Sequence, residues 1–172
     1  MGRRLNVAVT NTSPVIALWR VEALHLLAEL FGRVIVPADV SAELLARDDA
    51  IHEALFEFGH LEFGVLPTRI VLPGLGLGES SAIEIARRTP DSIVVLDDSR
   101  ARKTARELGL TVTGTIGVLM SAKRRGLVRE IRPLALRLRA QGFHLRPDLV
   151  DQALASVGER PISPGPKARK PK

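Results

Sequence analysis

The chain has 172 residues, of which 45% are apolar, 26% are charged and none is cysteine. This is the size and composition of one ordinary globular domain, and it excludes disulfides, thiolate catalysis and cysteine-ligated zinc. The formal net charge is +6. Arg160, Lys167, Arg169, Lys170 and Lys172 supply five positive charges in an acid-free end, RPISPGPKARKPK, so residues 1–159 are close to neutral.

LNVAVT at 5–10 reads as a buried strand that stops at NTSP, 11–14. Thr12 or Ser13 can cap a helix there, and Pro14 suits its first turn. Residues 15–31 carry helical periodicity with a break near Arg20. VIVP at 34–37 is a second strand, and Pro37 opens a helix through Arg47. Residues 51–60 give a short helix, and TRIVLP at 68–73 an edge strand or extended connection. A helix over 78–88 follows, then a strand at 93–96, a helix at 99–108, a last strand LTVT at 110–113 and a helix at 115–125. Arg129–Gln141 and Pro147–Val157 read as helices, with Pro133 making the first begin late or kink. Alternating strands and helices predict an α/β fold, a mainly parallel sheet covered on both faces. No apolar run approaches the ~20 residues that span a bilayer, so no membrane association and a cytoplasmic location are expected. The basic end, rich in Pro, Gly and Lys, is expected to be disordered. It could grip phosphates non-specifically.

Polar residues recur at the strand ends. Asn11 follows the first strand, Glu43 lies on the helix after the second, Glu79 opens the helix 78–88, and Asp97 and Asp98 follow the strand in VVLDDSRAR, 94–102. In open α/β sheets ligands bind outside the carboxyl ends of the strands, and clustered carboxylates suit Mg²⁺ or Mn²⁺. Such a site could activate water for phosphodiester cleavage. Each residue also has a purely structural reading. Asp98 or Ser99 can cap the next helix with Asp97 facing water, Glu79 can favour a helix dipole, Glu43 can be an exposed helix residue, and Asn11 can make a turn. Arg100, Lys103 and Arg106 lie at helical spacing, and Lys123, Arg124 and Arg125 end the next helix; both groups could cradle phosphates, or they could be a solvated helix face and favourable charges at a helix C-terminus, the reading preferred for 123–125. Only six residues are aromatic, too few for stacking platforms, so any nucleic acid would be held by its backbone and a metal. PGLGLGES at 73–80 imitates a dinucleotide fingerprint, but Glu79 stands where its third glycine belongs and would repel pyrophosphate. The four histidines are scattered, and HEALFEFGH at 52–60 lacks the i, i+4 pair of a zinc helix.

NTSPVIAL at 11–18, Glu43 within VSAELL, GESSAIEIA at 78–86, VVLDDSRAR at 94–102 and GTIGVL at 114–119 together resemble the PIN-domain family, specifically its prokaryotic branch related to VapC-type toxins. The resemblance covers about residues 5–126. It implies a three-layer α/β/α sandwich over residues 1–126, followed by a helical extension at 127–159 and the tail 160–172. It also implies a Mg²⁺- or Mn²⁺-dependent ribonuclease, with RNA as substrate and a paired antitoxin protein as partner. Carried onto this sequence, the acid positions fall at Asn11, Glu43, Glu79 and Asp98, with Asp97 beside the last. Glu43, Glu79 and Asp98 are then catalytic, and Ser13, Arg100, Lys103 and Thr115 line the substrate. Asn11 departs from the family's usual Asp and supplies an oxygen without a charge. That departure leaves a second reading, a catalytically weak or inactive PIN-fold module that binds RNA or protein. In the extension, Leu134, Leu136, Leu138 and Leu149 could cover the domain or form a homodimer contact.

Overall fold

A computed structural model of the chain describes residues 7–47, 51–57, 61–65 and 71–163. They fall into two compact units that part at Val118/Leu119.

In the first unit five parallel strands form one sheet: β1 (Val7–Thr10), β2 (Arg33–Pro37), β3 (Leu61–Val65), β4 (Ser92–Val95) and β5 (Thr111–Thr113). Their order is β3-β2-β1-β4-β5. The chain therefore leaves the central β1 to build one side and returns beside it to build the other. Ala8 and Val9 on β1, Val34 and Val36 on β2, and Val94 and Val95 on β4 are all fully buried. Strands buried on successive residues are covered on both faces, which makes the unit an α/β/α sandwich. On one face Val9, Ile35 and Val94 form a core with Ala82, Ile83 and Ala86 of α5 (Leu77–Arg88) and Ala101 and Ala105 of α6 (Ser99–Glu107).

The remaining elements follow the apolar periodicity. The helical run over 15–31 breaks at Arg20, as its periodicity indicated, into α1 (Thr12–Arg20) and α2 (His25–Phe31). Between them Glu22 adopts φ +59, which a continuous right-handed helix cannot contain. The helix after β2 is α3 (Ala38–Leu45), and α4 spans Ile51–Glu57. LEFGV forms an edge strand of the sheet that the apolar pattern did not mark. Residues 71–73 form no strand, and 68–70 lie outside the described residues. LEFGV was obscured by Glu62 and Gly64, but Glu62 faces Arg33 of β2 in a two-pronged ion pair, with both bonds at 2.7 Å. An edge strand keeps such polar positions because one side meets solvent.

α7 (Thr115–Arg124) begins in the first unit and ends in the second. The second unit continues with α8 (Arg132–Ala140) and α9 (Pro147–Ser156). Pro133 sits in the first turn of α8, so the helix begins late, as Pro favours. Leu134 and Leu138 are buried, while Leu136 and Leu149 are exposed. Most of the basic tail, residues 164–172, lies outside the described residues. Among the described residues no helix is long and apolar enough to cross a membrane.

Candidate active site

The chain's departure from β1 in two directions opens a crevice at the carboxyl ends of β1 and β4, the place where doubly wound sheets bind ligands. Asn11 leaves β1 there, with its N–H donating to the Val95 carbonyl at 3.3 Å. Leu96, Asp97 and Asp98 leave β4 beside it.

Asn11 is the N-cap of α1 in extended conformation, yet its side chain makes no capping bond. The residue is only 7% exposed, and its Oδ1 has no hydrogen-bond partner among the described residues. A buried amide oxygen without a partner is rare and costs about 1–3 kcal/mol. Glu43 comes to the same place from α3, where Thr12 Oγ1 donates to its Oε2. The two side chains meet around Gly78. A Cβ at that position would lie 2.8 Å from Glu43 Oε1 and 3.0 Å from Asn11 Oδ1. Gly78 is thus the opening that lets oxygens from α1 and α3 converge at the start of α5.

Glu79 turns back, and its Oε2 accepts the Gly76 N–H at 2.9 Å, tying off the start of α5. Asp98 is the N-cap of α6, with Oδ1 accepting from Ala101 N at 2.8 Å. Asp97 is half-buried and bonded to the start of α7. Its Oδ1 accepts the Thr115 N–H at 2.7 Å and its Oδ2 accepts the Thr115 hydroxyl at 2.5 Å. This places an anion at the N-terminus of α7, where the helix dipole favours it. Gly114 is required beside that bond, since a Cβ there would approach Asp97 Oδ1 to 2.9 Å.

The structure thus brings Asn11 and Glu43 together and gives Glu79, Asp97 and Asp98 local bonds near the same sheet edge. Among the described residues no three His, Asp or Glu side chains cluster closely enough to hold a metal. The donors that would suit a hard cation are the orphaned Asn11 Oδ1 and the Glu43 carboxylate, both oxygens. Arg100 donates to the Gly74 carbonyl at 3.2 Å, while Lys103 is exposed and lies 3.7 Å from Glu107. Ser13 is exposed on the first turn of α1.

Three contributors were missed in the sequence. Thr12 holds Glu43 through its hydroxyl. Gly78 makes room for the convergence. Asp39, one helical turn before Glu43, accepts from the fully buried Ser81 Oγ and fastens α3 to α5. The i, i+4 spacing of Asp39 and Glu43 was the available signal for the last.

The family model DUF3368, described as a PIN domain, matches residues 7–159. The chain belongs to the PIN-domain family. A PIN domain is a nuclease fold, and its members generally use divalent metals. A comparison with curated proteins finds no match. Among solved structures, this PIN domain is similar to a PilT N-terminus domain protein, SSO1118, from the hyperthermophilic archaeon Sulfolobus solfataricus P2. The TM-score is 0.49 at 17% identity, covering 67% of this chain and 92% of that one.

Proposed function

We propose that this PIN domain is a Mg²⁺- or Mn²⁺-dependent endoribonuclease, toxin-like, that hydrolyses RNA phosphodiester bonds at the crevice beside β1 and β4. The observation that carries the reading is the pair of oxygens meeting at Gly78, one of them buried and without a partner. Asn11 and Glu43 would hold the cation, with Glu79 and Asp98 adding carboxylate charge at the same sheet edge. A bound divalent ion would lower the pKa of water and offset charge on the leaving oxygen. Thr12 orients Glu43 through its hydroxyl bond. Asp97 and Thr115 fix the turn into α7. Arg100 and Lys103 offer cations to the RNA backbone, and Ser13 a hydroxyl. In hydrolysis an O–P bond forms from water as the bond to the leaving oxygen breaks. The proton of the attacking water passes to a carboxylate, for which Glu79 and Asp98 are the candidates. A paired antitoxin protein is the partner this reading implies.

The test is cleavage of a mixed RNA pool with Mn²⁺ or Mg²⁺, with EDTA, and with Asp98→Asn. Asparagine is as good an N-cap as aspartate, so the substitution removes the charge while keeping α6 closed. Cleavage that stops with EDTA and falls sharply in the variant is expected. Cleavage indifferent to both refutes the proposal. Asn11, where the family pattern has Asp, favours a second reading, a PIN fold that binds RNA or protein but cleaves weakly. A large gain of cleavage in Asn11→Asp alone would select it.

A further inference from the structure

The two units differ in charge. Residues 1–118 hold 12 Lys and Arg against 15 Asp and Glu, whereas residues 119–172 hold 13 against 4. Of those four acids, Glu130 and Asp148 are exposed and Asp151 and Glu159 are taken up by bonds within the unit. Asp148 pairs with Arg146, Asp151 accepts from the Ile162 and Ser163 N–H groups, and Glu159 is buried, its side chain 7% exposed.

Glu159 also draws three segments together. Its Oε1 takes the Lys123 ammonium at 2.5 Å from the end of α7 and the Ile131 N–H at 2.8 Å. Its Oε2 takes the Arg132 N–H at 2.7 Å at the start of α8. Arg132 Nε donates in turn to the Pro161 carbonyl. Each segment gathered at this carboxylate carries arginine: Arg124 and Arg125 follow Lys123, Arg129 lies two residues before Ile131 with the exposed Glu130 between them, Arg132 follows Ile131, and Arg160 follows Glu159. All but the half-buried Arg132 are exposed. The lysine read from sequence as part of a helix-end cluster pairs inward, and Arg124 and Arg125 beside it are exposed.

We propose that this arginine cluster is a second RNA-binding surface, which grips the phosphate backbone of the substrate in addition to the cleavage crevice. Guanidinium groups present forked donors that match phosphate oxygens, and they keep their charge at any physiological pH. With so few aromatic residues in the chain, the interaction is electrostatic and tolerant of sequence. It rests on the reading that the substrate is RNA.

The experiment measures anisotropy of a labelled single-stranded RNA in EDTA, so that cleavage plays no part, across a salt series. For a single strand the slope of log affinity against log salt falls by about 0.7 for each phosphate that is no longer neutralised. The triple variant Arg124→Gln, Arg129→Gln, Arg160→Gln should bind more weakly, with a slope shallower by about 2. The corresponding Arg→Lys triple should retain most of the slope, and both should unfold at the parent temperature. An equal charge reduction on the first unit, Arg20→Gln, Arg33→Gln, Arg88→Gln, should change the slope little. Unchanged affinity and slope in the cluster variant overturn the proposal, as does an equal weakening in the first-unit variant. Binding of poly-L-glutamate in place of RNA overturns it in favour of an acidic protein partner. RNA binding that depends on the cluster, without metal-dependent cleavage, would remove the nuclease reading and leave this one standing. Cleavage with no dependence on the cluster would do the reverse.

Discussion

Gly78→Ala separates the geometry of the crevice from the stability of the fold. Gly78 lies in the first turn of α5, where alanine gains up to about 1 kcal/mol of helix propensity. Against this, the new Cβ would stand 2.8 Å from Glu43 Oε1, 3.2 Å from Glu43 Cδ and 3.0 Å from Asn11 Oδ1. Glu43 is exposed and reached through a flexible stem, so its carboxylate can swing away. Doing so sacrifices the Thr12 bond, worth roughly 0.5–1.5 kcal/mol. Asn11 is buried and has less room to yield. The two terms nearly cancel, and the melting temperature should stay within about 4 °C of the parent. The site should not be spared. Displacing both oxygens resembles disturbing the supports of metal ligands, which typically lowers affinity or activity ~10–100-fold. The assay pairs thermal unfolding with RNA cleavage under a Mn²⁺ titration. Full cleavage at the parent's Mn²⁺ requirement would refute the reasoning. A melting temperature lower by more than about 10 °C would show that Gly78 serves packing and not the two oxygens.

Three other outcomes follow from the same geometry. Thr115→Val keeps the shape of a fully buried side chain but leaves Asp97 Oδ2 without its hydroxyl, so thermal unfolding should reveal a destabilisation of about 1.5–3 kcal/mol. An unchanged melting temperature would mean that Asp97 is solvated. For Glu159, burial is the largest single influence and raises the carboxyl pKa, but the Lys123 ammonium and the Ile131 and Arg132 N–H groups together outweigh it and hold the pKa below the usual range. The stabilisation is therefore complete above the ordinary glutamate pKa of about 4.3 and is lost as the pH falls through the lowered folded value. Glu159→Gln should cost about 2 kcal/mol in urea unfolding at pH 7, below the usual 3–5 for a fully buried pair because Lys123 is one-fifth exposed. The gap should narrow near pH 3, and a gap independent of pH would contradict the assignment. Asn11→Asp should raise the apparent affinity for Mn²⁺ in calorimetry, and no change would remove Asn11 from the ligand set.

Most of the fold was legible because its strands are apolar runs that end in polar residues where helices begin. NTSP, VVLDDS and LTVTGT each mark the point where a buried strand gives way to a helix, and the structure places α1, α6 and α7 there. LEFGV escaped because an edge strand need not look hydrophobic when Glu62 can pair with Arg33 across the ladder. The candidate residues were legible as a series of strand-end oxygens, but their partners were not. A capping role for Asp98 was readable from sequence, and it uses only Oδ1. The engagement of Asp97 with Thr115 joins residues 18 apart in the chain, and local patterns carry no trace of it. Gly78 acts by what it lacks, which only the convergence of α1, α3 and α5 exposes. Charge was misleading for a related reason. With the tail removed, the average over residues 1–159 is nearly neutral because it merges an acidic unit with a basic one.

The amide at position 11 affects both affinity for a cation and stability without one. A carboxylate in its place would be buried and separated from Glu43 by little more than the space Gly78 leaves open. Both oxygens lie within 3.0 Å of one point, so two like charges there repel by about 3 kcal/mol or more at an effective dielectric of 20. Desolvation adds to this and drives one of the pair to take up a proton. A bound cation between the two oxygens would relieve it. Asn11 avoids that repulsion. The same amide lowers the negative charge that would attract the ion. Asn11→Asp should therefore bind metal more tightly and be less stable when metal is withheld, because both effects arise from one added charge.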